Sequence, residues 1–316
     1  MLAYAFPGRA SDEVRVLLAD SQQARLQTLT LRTADLRALL KAFAEGMTNL
    51  DTAAMTASVQ ALDAALGVKQ WGATNTLYVV PSGDFHFVPW GALSIEIPVV
   101  VLPTGGWLQR EDASAAGGRP TIVGDPDFRG RLPALPGARA EAGEVAGRYQ
   151  VEPLIGGAAT EERLRQTVGQ GTTILHLATH GAFDAERPLD SAIYLSGPTE
   201  VRALTAANLF DRPIAANLVV LSACETGLGT AEAGEDFLGL ARSFYLGGTR
   251  ALLNSLWPVE DEGTRLFMTV FHEAAEKGDL GQAWLTARNA ARTRGLPPAV
   301  YGGFVLGGSR TLAIAR

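Results

Sequence analysis

The sequence has little of what marks secreted or nucleic-acid-binding proteins. Its 316 residues include one cysteine, Cys224, so the chain cannot form an intramolecular disulfide. A chain without disulfides is typical of the reducing cytoplasm. Lysine and arginine form no cluster, and the formal net charge is −6, with a pI of about 5.3. We therefore expect no direct contact between this chain and nucleic acid.

Long hydrophobic runs are also missing. No apolar stretch is long enough to span a bilayer, so we expect no membrane insertion. The N-terminus shows no basic segment followed by an apolar one, as a signal peptide would; taking Met1 as a natural start, we expect a cytoplasmic protein. Hydrophobic residues nevertheless make up 47% of the chain, which is ample for a large core in one or two domains.

The one cysteine follows a short apolar run. Residues 218–221 read Leu-Val-Val-Leu, which predicts a strand buried on both faces, as in a parallel sheet. Gly227 and Gly229 then indicate a loop. Cys224 would lie just beyond the carboxyl end of that strand, where open α/β sheets bind ligands. A small buried hydrophobic residue is the alternative interpretation of a lone cysteine.

A second stretch of the same kind ends in a histidine. Residues 172–181 read Thr-Thr-Ile-Leu-His-Leu-Ala-Thr-His-Gly, which predicts a strand that ends near His180. His180 and Cys224 are 44 residues apart, enough for a parallel crossover with some elaboration. If the two strands are neighbours, a thiol and an imidazole face one cleft, and this pair is the minimum for thiolate catalysis.

Strand and helix patterns alternate along the rest of the chain, which predicts a mostly parallel sheet covered by helices on both faces. The pattern indicates strands near 13–18, 24–31, 77–80, 97–102, 121–123, 151–154, 192–195, 251–254 and 304–306. It indicates helices near 36–43, 51–66, 138–149, 205–210, 236–246, 264–276 and 282–294, and one more that begins at about residue 160. Residues 114–118, Ser-Ala-Ala-Gly-Gly, are the best candidate for a linker.

The segments His-Leu-Ala-Thr-His-Gly and Leu-Ser-Ala-Cys-Glu-Thr-Gly resemble the signature blocks of the CHAT family, caspase-like cysteine peptidases related to separase. The resemblance covers roughly residues 75–308, and several ordered motifs are less open to chance than one. The further matching segments are 135–138 with Glu141, 247–250, 255–261 and 301–308. The resemblance implies a caspase-like α/β fold, with residues 1–115 as an inactive, pseudo-caspase-like half and residues 119–316 as the catalytic domain.

The chemistry expected of this pair follows from the properties of a thiol. Most cysteine thiols are protonated at neutral pH, so Cys224 as nucleophile needs His180 as general base. His180 would later protonate the leaving amine. The resemblance implies that the backbone N–H groups of Gly181 and Cys224 bind the oxyanion. This chemistry needs no metal or organic cofactor.

His176 competes with His180 for the role of base. On a strand the two lie on one face but roughly 13 Å apart, so only one can reach Cys224. The motif match selects His180, and His176 is expected to be a hydrogen-bonded structural residue. The same distance argues against a zinc site on these two histidines, and the segment lacks the glutamate of a His-Glu-x-x-His motif. Surface or packing roles are expected for His86 and His272.

Three residues are candidates for a substrate pocket. In separase-like enzymes an acidic residue of the loop after the equivalent strand contacts a basic P1 side chain, and Asp261 lies in the matching motif. A helix N-cap is the competing role for Asp261 and is slightly favoured. Trp257 would line the same pocket, although tryptophan is more often a core residue. Glu225 is either a substrate contact or a solvated side chain at a strand end.

The sequence therefore predicts a cysteine endopeptidase that acts on a protein or peptide substrate, with cleavage after a basic P1 residue. The resemblance implies a role in bacterial defence or programmed cell death, and a regulatory protein or helical-repeat segment outside this chain as a partner. Two alternatives stay open. The first is a non-catalytic interaction or scaffold module with the same fold, and the second is a thiol-dependent acyl transferase or non-proteolytic hydrolase.

Overall fold

One sheet of eleven strands runs through the molecule, and a smaller sheet of three strands lies beside it. The computed structural model describes residues 1–7, 12–110, 117–169, 171–182, 184, 186–222 and 237–312. The strands are β1 (Leu2–Pro7), β2 (Glu13–Ala19), β3 (Ala24–Arg32), β4 (Leu77–Val80), β5 (Val99–Val101), β6 (Thr121–Pro126), β7 (Leu154–Gly156), β8 (Ile174–Ala178), β9 (Gly181–Ala182), β10 (Ala192–Ser196), β11 (Val201–Thr205), β12 (Leu218–Leu221), β13 (Ala251–Ser255) and β14 (Phe304–Gly308).

The order of strands in the large sheet is β3-β2-β1-β4-β5-β14-β13-β12-β8-β6-β7. Seven of its ten strand pairs are parallel, and the three antiparallel ones are β1–β2, β2–β3 and β13–β14. Parallel pairs need crossover connections, which helices supply in this fold. The expected α/β fold with a mostly parallel sheet is confirmed.

The helices are α1 (Thr33–Thr48), α2 (Thr52–Leu66), α3 (Pro136–Tyr149), α4 (Glu161–Val168), α5 (Ala206–Asp211), α6 (Phe237–Leu246), α7 (Asp261–Ala275), α8 (Leu280–Thr293) and α9 (Pro298–Tyr301). Short 3₁₀ helices lie at Val68–Trp71, Gly83–Phe87, Gly105–Arg110 and Pro188–Asp190. Among the described residues, no helix combines the length and apolar character needed to cross a bilayer.

Helices cover both faces of the sheet, as the alternation of side chains in a strand requires. In β12, Leu218 and Val220 join the core that contains residues of α1, α2, α7 and α8. Val219 and Leu221 point the other way and join a second core with residues of α4, α5 and α6. A strand of four apolar residues is therefore buried on both sides.

The two parts of the chain occupy different halves of the large sheet. Strands β1 to β5, all before residue 110, form one half, and β6, β7, β8, β12, β13 and β14 form the other. The halves meet where β14 pairs with β5, at Gly307 and Val101. The boundary between residues 115 and 119 stays a prediction, and residues 114–116 of the proposed linker lie outside the described residues.

Local sequence signals account for several helix ends. The carboxylate of Asp51 accepts a hydrogen bond from the Ala54 N–H at 2.9 Å and begins α2, and Gly67 ends it with a φ of 60°. Thr205 caps α5 in a capping box. The helix expected near residues 36–43 begins earlier, at Thr33, so Thr33 is its first residue and Arg32 its N-cap.

The connection between β8 and β12 differs from a simple helical crossover. It contains the small antiparallel sheet of β9, β10 and β11 before the short helix α5. Strand β1 is not expected from the sequence, and β7 begins at Leu154, where the expected strand ends. Short strands carry too few residues for a period to stand out, so pairing partners decide where they begin.

A chain of four polar side chains crosses the core between β8, α3 and α7. The Tyr149 hydroxyl lies 3.1 Å from His272 Nδ1, and His272 Nε2 lies 3.2 Å from His176 Nδ1. His176 Nε2 is 2.8 Å from Glu141 Oε1, although the two groups lack the alignment of a hydrogen bond. Both histidines are fully buried. Burial, with help from His176 and Arg148, holds the pKa of His272 well below its usual range.

This buried chain predicts a pH-dependent stability. His272 stays neutral in the folded protein, whereas in the unfolded chain it takes up a proton below a pH of about 6.5. The unfolded state therefore gains stability as the pH falls from 7 to 5, by at most about 1.4 kcal/mol per pH unit for this group. Urea unfolding at pH 7, 6 and 5 measures the effect, and His272→Gln should flatten the curve.

His86 serves as the comparison, because burial and the nearby Arg242 lower its pKa to about 4. His86→Asn should remove a separate part of the same acid sensitivity. A wild-type free energy of unfolding that is equal at pH 7 and pH 5, or a slope unchanged in His272→Gln, contradicts this account of the core.

Candidate active site

Strands β8 and β12 are parallel neighbours, as the crossover argument required. Leu177 pairs with Leu221, and the Ser222 N–H donates a 3.0 Å hydrogen bond to the Leu177 carbonyl. His180 and Cys224 each stand three residues beyond this matched pair in the sequence. Cys224 and Glu225 lie outside the described residues, so His180 and its surroundings define the geometry of the site.

His180 is held in a defined orientation at the carboxyl edge of the sheet. It is only 5% exposed, and its Nε2 lies 2.9 Å from the carbonyl oxygen of Pro133. A carbonyl oxygen can only accept, so Nε2 carries the proton and donates. In the neutral ring, Nδ1 is then the nitrogen that bears the basic lone pair, which is the form that a general base requires.

An aromatic ring completes the surroundings of this imidazole. The Phe128 ring lies 4.8 Å from the His180 ring, centroid to centroid, and is 3% exposed. Phe128 and Pro133 both belong to the segment between β6 and α3, which lies over His180. Sequence analysis identifies neither residue, because a backbone carbonyl leaves no side-chain signature and a loop phenylalanine is not a specific signal.

Gly181 begins β9 directly after His180. The carbonyl of its neighbour His180 accepts a 2.9 Å hydrogen bond from the Tyr194 N–H, while Gly181 itself stands opposite Ile193. Hydrogen-bonded and non-hydrogen-bonded pairs alternate in an antiparallel ladder, so the Gly181 N–H is directed away from β10.

The remaining pocket candidates lie in different surroundings. Asp261 is exposed and forms the first residue of α7, whose N-cap is Glu260. Its carboxylate packs against Gly137 in the first turn of α3, where a Cβ would collide with it. Trp257 is 4% exposed, donates from Nε1 to the Ala299 carbonyl at 2.7 Å, and so lies in the core.

The other histidines have separate roles. His176 is committed to the buried chain described above, and its ring nitrogens contact His272 and Glu141. The expectation that His176 is a hydrogen-bonded structural residue is confirmed. His272 is a core residue, and His86 is partly buried in the turn Gly83–Phe87.

Within the part of the chain that the structure describes, no three histidine, aspartate or glutamate side chains form a group suited to a metal ion. The buried chain from Tyr149 to Glu141 is linear, with each histidine using its two nitrogens in opposite directions. Side chains in such a linear arrangement do not converge on one ion.

Comparison with known proteins gives distant but consistent relatives. Mouse Tetratricopeptide repeat protein 28 is 26% identical over 214 residues, which cover 55% of this chain and 9% of that protein. The human protein of the same name is 25% identical over 214 residues, with 55% of this chain and 8% of that protein covered. The chain thus spans less than a tenth of these curated relatives.

Two solved structures are similar at low identity. The Saccharomyces cerevisiae separase–securin complex gives a TM-score of 0.48 at 15% identity, covering 75% of this chain and 16% of that one. The Arg specific cysteine proteinase gingipain R gives 0.49 at 10% identity, covering 81% of this chain and 68% of that one.

The family itself follows from a match that spans most of the chain. The model of the CHAT domain matches residues 45–299, which include β4 to β13 and the strand ends at His180 and Ser222. The chain therefore belongs to the CHAT family.

Proposed function

We propose that this protein is a cysteine endopeptidase in which His180 activates Cys224 toward a peptide carbonyl. The observation that carries the proposal is the hydrogen bond from His180 Nε2 to the Pro133 carbonyl. It fixes the tautomer whose Nδ1 can take a proton. The sequence supplies a thiol three residues beyond Leu221, just as His180 stands three residues beyond its partner Leu177. A scaffold module needs neither the thiol nor a fixed tautomer.

The proposed reaction moves one proton back and forth. His180 Nδ1 takes the proton of the Cys224 thiol, and the thiolate attacks the scissile carbonyl carbon to form a C–S bond. The tetrahedral intermediate then collapses, the C–N bond breaks, and Nδ1–H protonates the leaving amine. Water, deprotonated by the same nitrogen, then attacks the thioester carbon. The C–S bond breaks, the acid product is released, and the Cys224 thiolate takes the proton back from Nδ1.

Pro133 also stabilises the charged form that arises in between. When Nδ1 gains a proton the ring becomes an imidazolium, and the bond from Nε2–H to the carbonyl becomes charge-assisted. Phe128 covers the ring and limits access of water to it. The base is therefore oriented by a backbone dipole.

The Gly181 N–H is proposed to bind the oxyanion together with the N–H of Cys224. The direction of the Gly181 N–H away from β10 supports this role. Glycine at this position has no Cβ to obstruct a substrate carbonyl.

A basic P1 residue is the proposed substrate feature, with Asp261 as its partner. Asp261 is exposed at the start of α7 and packs against Gly137, four residues beyond Pro133. It therefore lies near the segment that contacts His180. Glu260, and not Asp261, is the N-cap of α7, so the Asp261 carboxylate does not serve as a helix cap. Trp257 would support the segment between β13 and α7 from the core. Glu225 would approach the substrate from the end of β12.

The biological setting is proposed on the family membership and on the name of the curated relatives. The substrate would be a protein cut in bacterial defence or programmed cell death, in the cytoplasm. A regulatory protein or a helical-repeat segment is the proposed partner, which the name of the curated relatives, Tetratricopeptide repeat protein 28, supports.

Substitution of Cys224 and His180 tests the thiol mechanism. Cys224→Ala should abolish cleavage of a peptide library, and His180→Gln should lower kcat about 10²- to 10⁴-fold, because a general base contributes that much. Ser222→Ala is the matched control, since Ser222 follows the same strand and is engaged through its backbone N–H. Peptide cleavage and product masses by mass spectrometry measure the outcome.

Cleavage that survives Cys224→Ala eliminates the thiol mechanism, whereas a wild type that cleaves no peptide leaves the scaffold interpretation. Turnover of esters or thioesters without any peptide cleavage favours the acyl transferase or non-proteolytic hydrolase.

The second prediction concerns P1 selectivity. Asp261→Asn should lower kcat/KM for substrates with Arg or Lys at P1 about 10- to 150-fold, because a hydrogen bond to a charged partner contributes roughly 1.5–3 kcal/mol. Cleavage after uncharged residues should stay the same. Glu262→Gln is the control, as it removes the same charge from the next position of the same exposed turn.

A profile of fluorogenic peptides with varied P1 measures this selectivity. Equal cleavage after Arg and after Leu in the wild type, or equal effects of the two substitutions, rules out Asp261 as the P1 contact.

A further inference from the structure

The orientation of His180 depends on a loop, and that loop needs an anchor of its own. Residues 127–135 connect β6 to α3 and bring Phe128 and the Pro133 carbonyl against the imidazole. A peptide carbonyl can hold Nε2–H only if the loop keeps one conformation, since loops are the more mobile parts of a fold. The residue that fixes this conformation is therefore a determinant of the base.

Asp125 precedes this loop and can bind its far end. It lies near the end of β6, is 5% exposed, and its carboxylate spans the two ends of the loop. Oδ1 accepts a 2.7 Å hydrogen bond from the Leu135 N–H, and Oδ2 accepts one of 2.9 Å from Arg139 Nε. Leu135 follows Pro133 by two residues, so the first of these bonds fixes the chain next to the carbonyl that His180 uses.

The backbone at Asp125 is in a sparsely populated conformation. Its φ is +42°, and the pairing of β6 with β7 shifts its register between Gly124 and Pro126. Asparagine and aspartate tolerate this region better than other residues with a Cβ, but it still costs free energy. Such a conformation persists because the two hydrogen bonds of the carboxylate hold it.

The surroundings of the anchor are rigid. A Cβ at Gly124 would collide with Ala142 and with the Ala138 carbonyl, so α3 lies directly on the end of β6. On the far side, the Asp127 N–H donates to Ser196 Oγ at 2.7 Å, and this hydroxyl donates to the Gly156 carbonyl at 2.7 Å. The loop is thus fixed to β10 at its start and to β6 and α3 at its end.

We propose that Asp125 is a positioning residue for His180, because its carboxylate closes the loop that presents the Pro133 carbonyl and thereby selects the Nε2–H tautomer. Asp125 acts through the loop and does not touch substrate. The inference deepens the proposed peptidase function and rests on it for its catalytic meaning. The tautomer itself can be observed whether or not the protein cleaves peptides.

The test compares two aspartates of the same segment. Asp125→Gly removes the carboxylate but accepts a positive φ, and Asp125→Asn keeps an acceptor oxygen and tolerates that φ. Asp127→Gly and Asp127→Asn are the matched controls. The Asp127 carboxylate is 41% exposed and pairs with Arg129, while its contact with Ser196 uses the backbone N–H, which both substitutions keep.

The primary measurement is ¹⁵N NMR of the full chain with labelled histidine. Four histidines give four pairs of imidazole ¹⁵N signals, and His180→Gln assigns the pair of interest. At a pH where the ring is neutral, wild type and both Asp127 variants should show His180 as a single Nε2–H tautomer. Asp125→Gly should show a mixture of tautomers, and Asp125→Asn an intermediate proportion. Unchanged signals of His176 and His272 confirm that the core is intact.

Kinetics give an independent measurement. Because the base and not the binding of substrate is affected, Asp125→Gly should lower kcat up to about 100-fold with KM unchanged, and Asp125→Asn should lower it less. Should the glycine variant fail to fold, Asp125→Asn against Asp127→Asn decides the matter by the same two measurements.

A single Nε2–H tautomer in the Asp125 variants, or equal mixtures in the Asp125 and Asp127 variants, overturns the positioning role. A shifted tautomer in a protein that never cleaves peptides leaves the positioning role standing and refutes the peptidase proposal instead.

Discussion

The parallel pairing of β8 with β12 is the constraint on which the rest depends. Parallel strands end at the same edge of a sheet, so whatever follows Ala178 and Leu221 emerges on one side of the molecule. The pairing is stable because every residue of both strands is buried. Strand β12 is wholly apolar, and the one polar side chain of β8, His176, has a hydrogen-bond partner in the core. A buried scaffold of this kind allows the adjoining loops to carry polar chemistry without loss of the core.

Strand β8 and the residues just after it contribute two histidines with different surroundings, and strand geometry explains the difference. His176 lies within β8 and points under α3 and α7, where His272 and Glu141 occupy its two nitrogens. His180 lies beyond the end of the strand, where its partners come from the segment after β6. The same residue type four positions apart thus becomes a structural link in one case and a candidate base in the other.

The sequence is informative wherever side chains carry the signal. It predicts a strand at Leu77–Val80 with the bounds that β4 has, and Asp51 and Gly67 mark the ends of α2. The two apolar runs that precede the cysteine and the histidine also indicate strands, and the structure shows that these strands are neighbours. No pattern reveals that a backbone carbonyl, that of Pro133, orients His180, or that His176 and His272 meet across 96 positions of sequence. Contacts of the backbone, and contacts set by helix packing, leave no local pattern.

The order of strands links the two halves of the chain in a way that composition alone does not show. Strand β14 comes last among the described strands, yet it lies at the centre of the large sheet between β5 and β13. The contact of Phe43 in α1 with Trp257, at 5.3 Å between ring centroids, joins the segment after β13 to the N-terminal half. Contacts between residues so distant in sequence are typical of proteins that fold slowly. The N-terminal half therefore supports the strands that carry the site. Without β5, strand β14 would have only β13 as a neighbour and would leave an open edge on the half that contains His180.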